Sequence, residues 1–558
     1  MAKSRPAGVR RFVPAPVRRS LKALLYPEVR NRVENARFRL RHRHFEAEQG
    51  VVKHHGRSRL AELRPELSAL QVWEDTLQLV TGALEAASIH HFCLRPRSGL
   101  ESAVAVSEVD RDRVIEVLAA AVTEAGAYVG PVKDPEGTKA EIGPKAWEAM
   151  AGRPTFRITR CFGSPDGDLV LGPELSCVVE FWKPVDGELV APRPNRVVGE
   201  LPLEGPIVRV TSDRLTALAG PESHGAVTFP VREETLLPLL DDIDFPIDVV
   251  YTWVDGDDPA WQDRRDAALG AVNDAERHEL AINKSRFTSR DELRYSLRGL
   301  TMFAPWVRHV YIVTDDQVPA WLDVTHPGIT VIDHKELFQD RGVLPTFNSH
   351  AIESQLHRID GLSEHFLYFN DDVLLGRPVT PDMFFHPNGT TKYFPSSKQV
   401  DLRVRSGKDE PATAAGKNSR RLIEETFGGV ITHRVKHTPH ALRRSVLNEI
   451  EKRFPAEIAE TAHHQFRHQD DVSLPSSLHH FYGFATGRAV QADLRYRYIN
   501  LASPDASDRL RAVLAEREYD VFCVNDTESD AESQAVHKEL TDRFLPAYFP
   551  VPSPYELG

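Results

Sequence analysis

The sequence predicts an α/β protein: a Rossmann-like domain built on a mainly parallel sheet and carrying a helical insertion, preceded by a separate mixed α+β region. Three observations predict it. From residue 247 onward, short runs of β-branched and aromatic residues alternate with helical stretches, the pattern of strands joined by crossover helices. Each of these runs ends in acidic or amide residues. Before residue 244, helical and strand-like stretches are mixed, and no constellation of reactive side chains stands out.

The elements follow in order. Residues 1–45 form a basic arm with 13 Lys or Arg against Glu28 and Glu34, a local charge of +11 in a chain of net charge -12. The arm suits peripheral contact with an anionic membrane surface, or a solvated tail. In residues 46–243, Leu60 to Ala83 and Arg111 to Ala125 read as helices, and Leu169 to Leu171 and Cys177 to Trp182 as strands. Asp241-Asp242-Ile243-Asp244-Phe245-Pro246 reads as a linker. Beyond it, Ile247 to Val254, Val307 to Thr314, Ile329 to Ile332 and His365 to Phe369 read as buried strands. Ser289 followed by Glu292 reads as a capping box for a helix whose Leu293, Leu297 and Leu300 share one face. A second helix is predicted over Ser349 to Ile359.

Composition narrows the function. A chain of 558 residues, with 69 Lys plus Arg against 81 Asp plus Glu, has no overall attraction for nucleic acid. Four scattered cysteines, Cys93, Cys161, Cys177 and Cys523, exclude a disulfide scaffold and fit a reducing, cytoplasmic setting. No run of 18 apolar residues predicts a membrane span.

In parallel sheets, ligands bind beyond the carboxyl ends of the strands. Here those ends read Trp253-Val254-Asp255-Gly256-Asp257-Asp258, Thr314-Asp315-Asp316, Asp333-His334 and Asn370-Asp371-Asp372. Any single such ending is ordinary turn chemistry. Four carboxylate-rich ends on one rim point instead to a hard divalent cation, Mg2+ or Mn2+, holding a diphosphate. The histidine-rich stretches 433–440 and 463–471 match no zinc motif. They offer proton carriers and an arginine fork for phosphate.

Four blocks resemble the Stealth family of sugar-1-phosphate transferases. They are Ile247 to Gly256; Asp291 to Arg298 continuing through Ala304 to Val307, Leu344 to Glu353 and Asn370 to Val373; His437 to His440 with Phe466 to His468; and Val524 to Asp526. The resemblance implies transfer of a hexose 1-phosphate from a nucleotide-sugar donor, typically a UDP-sugar such as UDP-N-acetylglucosamine, to a hydroxyl of a glycan acceptor in capsular or cell-surface polysaccharide synthesis. UMP leaves. It implies a catalytic domain over 244–535, with 536–558 as a C-terminal tail. The lack of a signal-like apolar stretch leads to the expectation of a cytoplasmic protein, at the inner face of the membrane if the basic arm docks there.

By this similarity Asp371, Asp372, His437 and Arg467 are the expected catalytic residues. The metal would be held by Asp372 with Asp371 or Asp526. Asp255, Arg294, Arg298, Asn348, Glu353, Asn370 and Asn525 are the expected substrate-binding residues, with Glu353, Arg294 and Arg298 alternatively orienting the site through buried ion pairs. Either His437 or Asp372 serves as the base. A metal-dependent glycosyltransferase releasing UDP, and a non-catalytic glycan-binding relative, are the competing readings.

Overall fold

A computed structural model describes residues 49–54, 56–97, 99–134, 137–221, 225–271, 284–526 and 531–558. The basic arm lies outside the described residues.

The N-terminal region pairs a nine-stranded mixed sheet with helices α1 (Ala69–Ala86) and α2 (Arg111–Glu124). The helix predicted from Leu60 to Ala83 divides in two. Arg57–Leu63 is a strand paired antiparallel with Gln49–His54, and α1 starts only after Ser68. The physical reason is local: Pro65 disfavours a helical residue before it, and Ser68 and Gln71 form a reciprocal capping box that fixes the later start.

The second region is built on a five-stranded sheet, and its strands are labelled from β1. In chain order, β1 (Ile247–Thr252) leads to α3 (Pro259–Ala271) and α4 (Glu292–Phe303), then β2 (Val310–Thr314), β3 (Ile329–Asp333), α5 (Ser349–Glu353) and β4 (His365–Asn370). Next come β5 (Val373–Leu375), β6 (Pro395–Gln399), α6 (Pro411–Phe427), β7 (His433–Val435), β8 (His440–Arg443) and α7 (Pro455–His463). The chain closes with β9 (Tyr496–Asn500), β10 (Val521–Asn525) and α8 (Ala531–Tyr548). The sheet runs β3–β2–β1–β4–β8. Its first four strands are parallel and β8 is antiparallel at the edge. The four predicted parallel strands are therefore present, and the region is mixed α/β.

Strand order reverses between β1 and β4, where Thr252 lies beside Asn370, and a crevice opens beyond that pair. β1 is buried on both faces, as expected for a parallel strand covered by helices. Its one charge, Asp248, is fully buried. It accepts a two-pronged pair from Arg308 at 2.8 and 2.6 Å and a hydrogen bond from the Ser363 N–H at 2.7 Å, which offset its loss of water.

Two predicted helices change. The Ser289–Glu292 box does not form. Asp291, at φ 62°, precedes α4 without a side-chain cap, and the Ser289 hydroxyl faces the Trp253 Nε1 at 3.4 Å. Glu292 turns back to accept the Arg290 N–H at 2.5 Å, which carries its carboxylate toward the crevice. The helix predicted to run to Ile359 ends at Glu353 and is followed by a short 3-10 turn, Leu356–Arg358.

Leu293, Leu297 and Leu300 are buried on one face of α4, as predicted. They belong to a hydrophobic cluster that joins Trp73 and Phe229 of the N-terminal region to Tyr251, Trp306, Tyr548 and Val551. Each such leucine contributes roughly 1.5–3 kcal/mol. Gly220 marks how closely the two regions approach, since a Cβ there would meet the Trp306 carbonyl at 2.7 Å. Residues 536–558, set apart in the sequence as a tail, contain most of α8 and bury Tyr548, Phe549 and Val551. Among the described residues no helix is long and apolar enough to cross a membrane.

Candidate active site

The crevice widens into a cavity of about 850 Å3 lined from β1, β4, the antiparallel β6–β7 pair, β10 and the loop after α7. Asp371 and Asp372 enter it because β4 ends at Asn370 and the chain immediately starts β5, which pairs antiparallel with β10. That pairing sets Val373 opposite Cys523, and the Val524 N–H donates to the Asp372 carbonyl at 3.1 Å. Asn525 therefore arrives beside Asp372 and donates Nδ2 to its Oδ2 at 2.6 Å, while Tyr498 of β9 donates to the Asn525 Oδ1 at 3.1 Å.

His437 follows β7 and places Nε2 3.0 Å from Asp372 Oδ1. Burial favours the neutral form of both groups, but the pair overcomes it. The imidazole and the Asn525 and Cys523 donors hold the Asp372 carboxyl below its ordinary range, and the Asp372 charge holds His437 above its ordinary value. Asp371 goes the other way. Burial and the charges of Glu292 and Asp372 push its carboxyl well above the usual range. A divalent cation against Asp371 and Asp372 would relieve that repulsion, and carboxylate oxygens suit a hard ion. Asp372, His437 and Cys523 also bring one ligand atom each within 4.8 Å of one another, so nitrogen and sulfur lie at the edge of the same site.

Arg467 lines the cavity from the loop after α7 and donates to the Ser349 Oγ at 2.7 Å, and its buried Nε has no partner among the described residues. The loop is anchored by Asp471, which is fully buried and accepts from Asn348 Nδ2 at 2.9 Å, His350 Nδ1 at 3.1 Å, His464 Nδ1 at 2.7 Å and the His468 N–H at 2.9 Å.

The cavity gathers Asp371, Asp372, His437, Arg467, Glu353, Asn370, Asn525 and Asp526 from the sequence-predicted set. Glu353 accepts from the Tyr368 hydroxyl at 3.2 Å, and Asn370 Nδ2 donates to that same hydroxyl at 3.3 Å. Four expectations change in detail. Asp255 does not line the cavity, and its carboxylate accepts the Asp257 N–H at 3.0 Å within the turn after β1. Asn348 does not line it either. It caps α5, accepting the His350 N–H, and ties α5 to Asp471. Arg294 and Arg298 bind Glu556 at 2.6 and 2.7 Å away from the cavity, the buried ion-pair alternative. Asp526 reaches the cavity but is engaged by Arg290 at 2.5 Å and His537 at 3.1 Å, so it is committed to a cation of the protein itself.

Sequence reasoning missed Arg286, Glu292 and Cys523. Glu292 carried a signal that was read as capping. Arg286 and Cys523 carried none, because their neighbours in space are remote in sequence.

The four conserved regions of Stealth proteins match this chain: CR1 at 245–272, CR2 at 286–393, CR3 at 436–484 and CR4 at 511–558. A Streptomyces coelicolor protein named an exopolysaccharide phosphotransferase is 46% identical over 99% of this chain and 96% of its own length. The exopolysaccharide phosphotransferase CpsY of Mycobacterium tuberculosis is 34% identical over 90% of this chain and 91% of its own. Among solved structures, galactosyltransferase LgtC with donor and acceptor sugar analogues aligns over 55% of this chain and 96% of its own at 11% identity. Its TM-score is 0.27, a value that supports no statement about this fold. With similarity to such relatives over nearly its full length and all four regions present in order, the chain is a transferase and belongs to the Stealth family.

Proposed function

We propose that the cavity transfers a hexose 1-phosphate from a nucleotide sugar, a UDP-sugar such as UDP-N-acetylglucosamine, to a hydroxyl of a glycan acceptor in exopolysaccharide synthesis. The observation that carries this reading is the meeting of Asp371, Asp372, His437 and Arg467, drawn from two of the family's regions, on one cavity. The names of the relatives support the same class of reaction.

The acceptor oxygen attacks the β-phosphorus. A new P–O bond forms, the bond from that phosphorus to the bridging oxygen breaks, and its electron pair leaves on UMP. Phosphoryl transfer depends on positioning and charge neutralisation more than on covalent help. Asp372 fixes the His437 ring through Nε2. The other ring nitrogen then takes the acceptor's proton, and the raised affinity of the imidazole suits a base working near neutral pH. Arg467 neutralises a non-bridging oxygen as charge develops. Asp371 and Asp372 would hold a Mg2+ or Mn2+ ion, which when bound would further neutralise the diphosphate. The basic arm of residues 1–45 is proposed as a contact with the cytoplasmic membrane face, which a liposome-association comparison with a chain lacking those residues tests.

The central experiment incubates the protein with Mg2+ or Mn2+, a panel of UDP-sugars and glycan acceptors, and reads the released nucleotide by chromatography. UMP together with a new phosphodiester is the expected product. UDP establishes glycosyl transfer instead, and donor binding without turnover on any acceptor establishes a glycan-binding relative.

A further inference from the structure

Arg286 lies on the same cavity as Arg467 yet belongs to no sequence-predicted set. It is half-buried, and among the described residues it makes no hydrogen bond or ion pair. The charges nearest to act on it are Arg467 and Glu353. Glu353 is already engaged by the Tyr368 hydroxyl. Burial, with Arg467 facing it, pushes the Arg286 guanidinium down to about 9, so the protein groups around it serve its charge poorly. Of the other cations on the cavity wall, Arg290 is paired with Asp526 at 2.5 Å and Lys436 with Asp493 at 2.8 Å, Arg434 donates to the Thr413 hydroxyl at 2.7 Å, and Lys398 and Arg497 lie over the Tyr498 and Tyr519 rings.

Its position is held firmly. The Gly256 N–H donates to the Phe287 carbonyl at 2.7 Å, and a Cβ on Gly256 would meet that carbonyl at 2.4 Å. Only glycine lets the segment carrying Arg286 dock against the turn after β1. Phe287 then packs on Trp261, with ring centroids 5.1 Å apart. Arg286 therefore stands at the carboxyl end of β1, where sheets of this type receive nucleotides. Arg467 acts electrostatically on both Arg286 and His437, so the two guanidiniums share one cavity, with Arg286 on the side of the turn after β1 and Arg467 facing the base.

We infer that Arg286 and Arg467 form a two-guanidinium clamp for the donor diphosphate, with Arg467 on the phosphate being transferred and Arg286 on the phosphate that leaves with the nucleoside. This rests on the proposed sugar-1-phosphate transfer. Guanidinium forks match phosphate oxygens, and a diphosphate supplies the negative charge that both lack.

The test compares wild type, Arg286→Ala and Arg286→Lys by calorimetric titration with inorganic pyrophosphate, UMP and uridine, alongside thermal melting. Arg286→Ala is expected to weaken pyrophosphate and UMP about 10-fold or more, to leave uridine unchanged, and to melt no lower than wild type, since it removes a poorly paired cation. Arg286→Lys, which keeps the charge, should recover part of the loss. In turnover the donor KM should rise more than kcat falls. Wild-type affinity of Arg286→Ala for pyrophosphate overturns the clamp. Loss of pyrophosphate with intact UMP binding overturns the placement of Arg286 on the leaving phosphate. A lower melting point with unchanged ligand affinities overturns the ligand role in favour of a structural one. If wild type releases UDP in turnover while Arg286→Ala still loses pyrophosphate and UMP, the transfer reading and the division of the two phosphates fail, and Arg286 stands as a ligand of the donor diphosphate.

Discussion

Two pairs of arginines lie within the family-matched regions, and their surroundings differ in one respect. Arg294 and Arg298 on α4 share Glu556, with Arg298 also donating to the Phe549 carbonyl at 3.0 Å. Arg286 and Arg467 face a cavity where no protein carboxylate pairs with them at salt-bridge distance among the described residues. The first pair closes its charge balance inside the fold and fastens residues 549–556 to α4. The second leaves its balance open among the described residues, which is where the proposed clamp puts the donor diphosphate. A buried arginine is therefore read by its partner, not by its presence in a matched block.

Breaking the cavity side should produce the largest losses of activity and little loss of fold. Asp372→Ala removes the partner of His437 and Asn525 and should abolish UMP release, with circular dichroism unchanged. Arg467→Ala should lower turnover by about 100-fold or more, with the melting temperature held or raised. A melting point that falls with Arg467→Ala would place it with Arg294 and Arg298 as architecture.

Breaking the closed pair should reverse the pattern. Arg298→Ala leaves the Glu556 carboxylate buried with Arg294 as its remaining cation. It should cost about 2–3 kcal/mol in denaturant unfolding, below the full cost of an orphaned buried charge, while turnover per folded molecule stays near wild type.

A smaller effect sharpens the cavity's electrostatics. Because Asp372 raises the proton affinity of His437, the base form grows as pH rises. The rate should climb with pH through a midpoint above the ordinary histidine value of about 6.5, and His437→Gln should lose that limb along with most of its turnover. The smallest change is expected for Asp371→Asn. Burial and its acidic neighbours already favour the protonated form of Asp371 without a cation, so in chelator this variant should melt at or slightly above wild type. Its response to added Mg2+ or Mn2+ should be lost, and a full response would remove Asp371 from the metal site.

Much of the sheet was legible because its strands are short β-branched and aromatic runs whose burial needs no distant information. The acidic strand ends were legible for the same reason, and the Asp371-Asp372 pair does enter the cavity. Asp255 has the same chemistry at the end of β1, yet it closes its own turn. Ser289 and Glu292 carried a valid capping pattern, but Trp253 and Arg290 took their side chains, and α4 began without them.

The sequence by itself determined the α/β class, the four parallel strands and the family, since each rests on local pattern or on motif identity. The tertiary structure decided which charge meets which. Arg298 and Glu556 are 258 residues apart and Asp372 and His437 are 65 apart. Backbone propensity acts over a few residues, whereas pairing, desolvation and proton affinity act across space, so only the folded chain separates a carboxylate that fastens the structure from one that is left for chemistry.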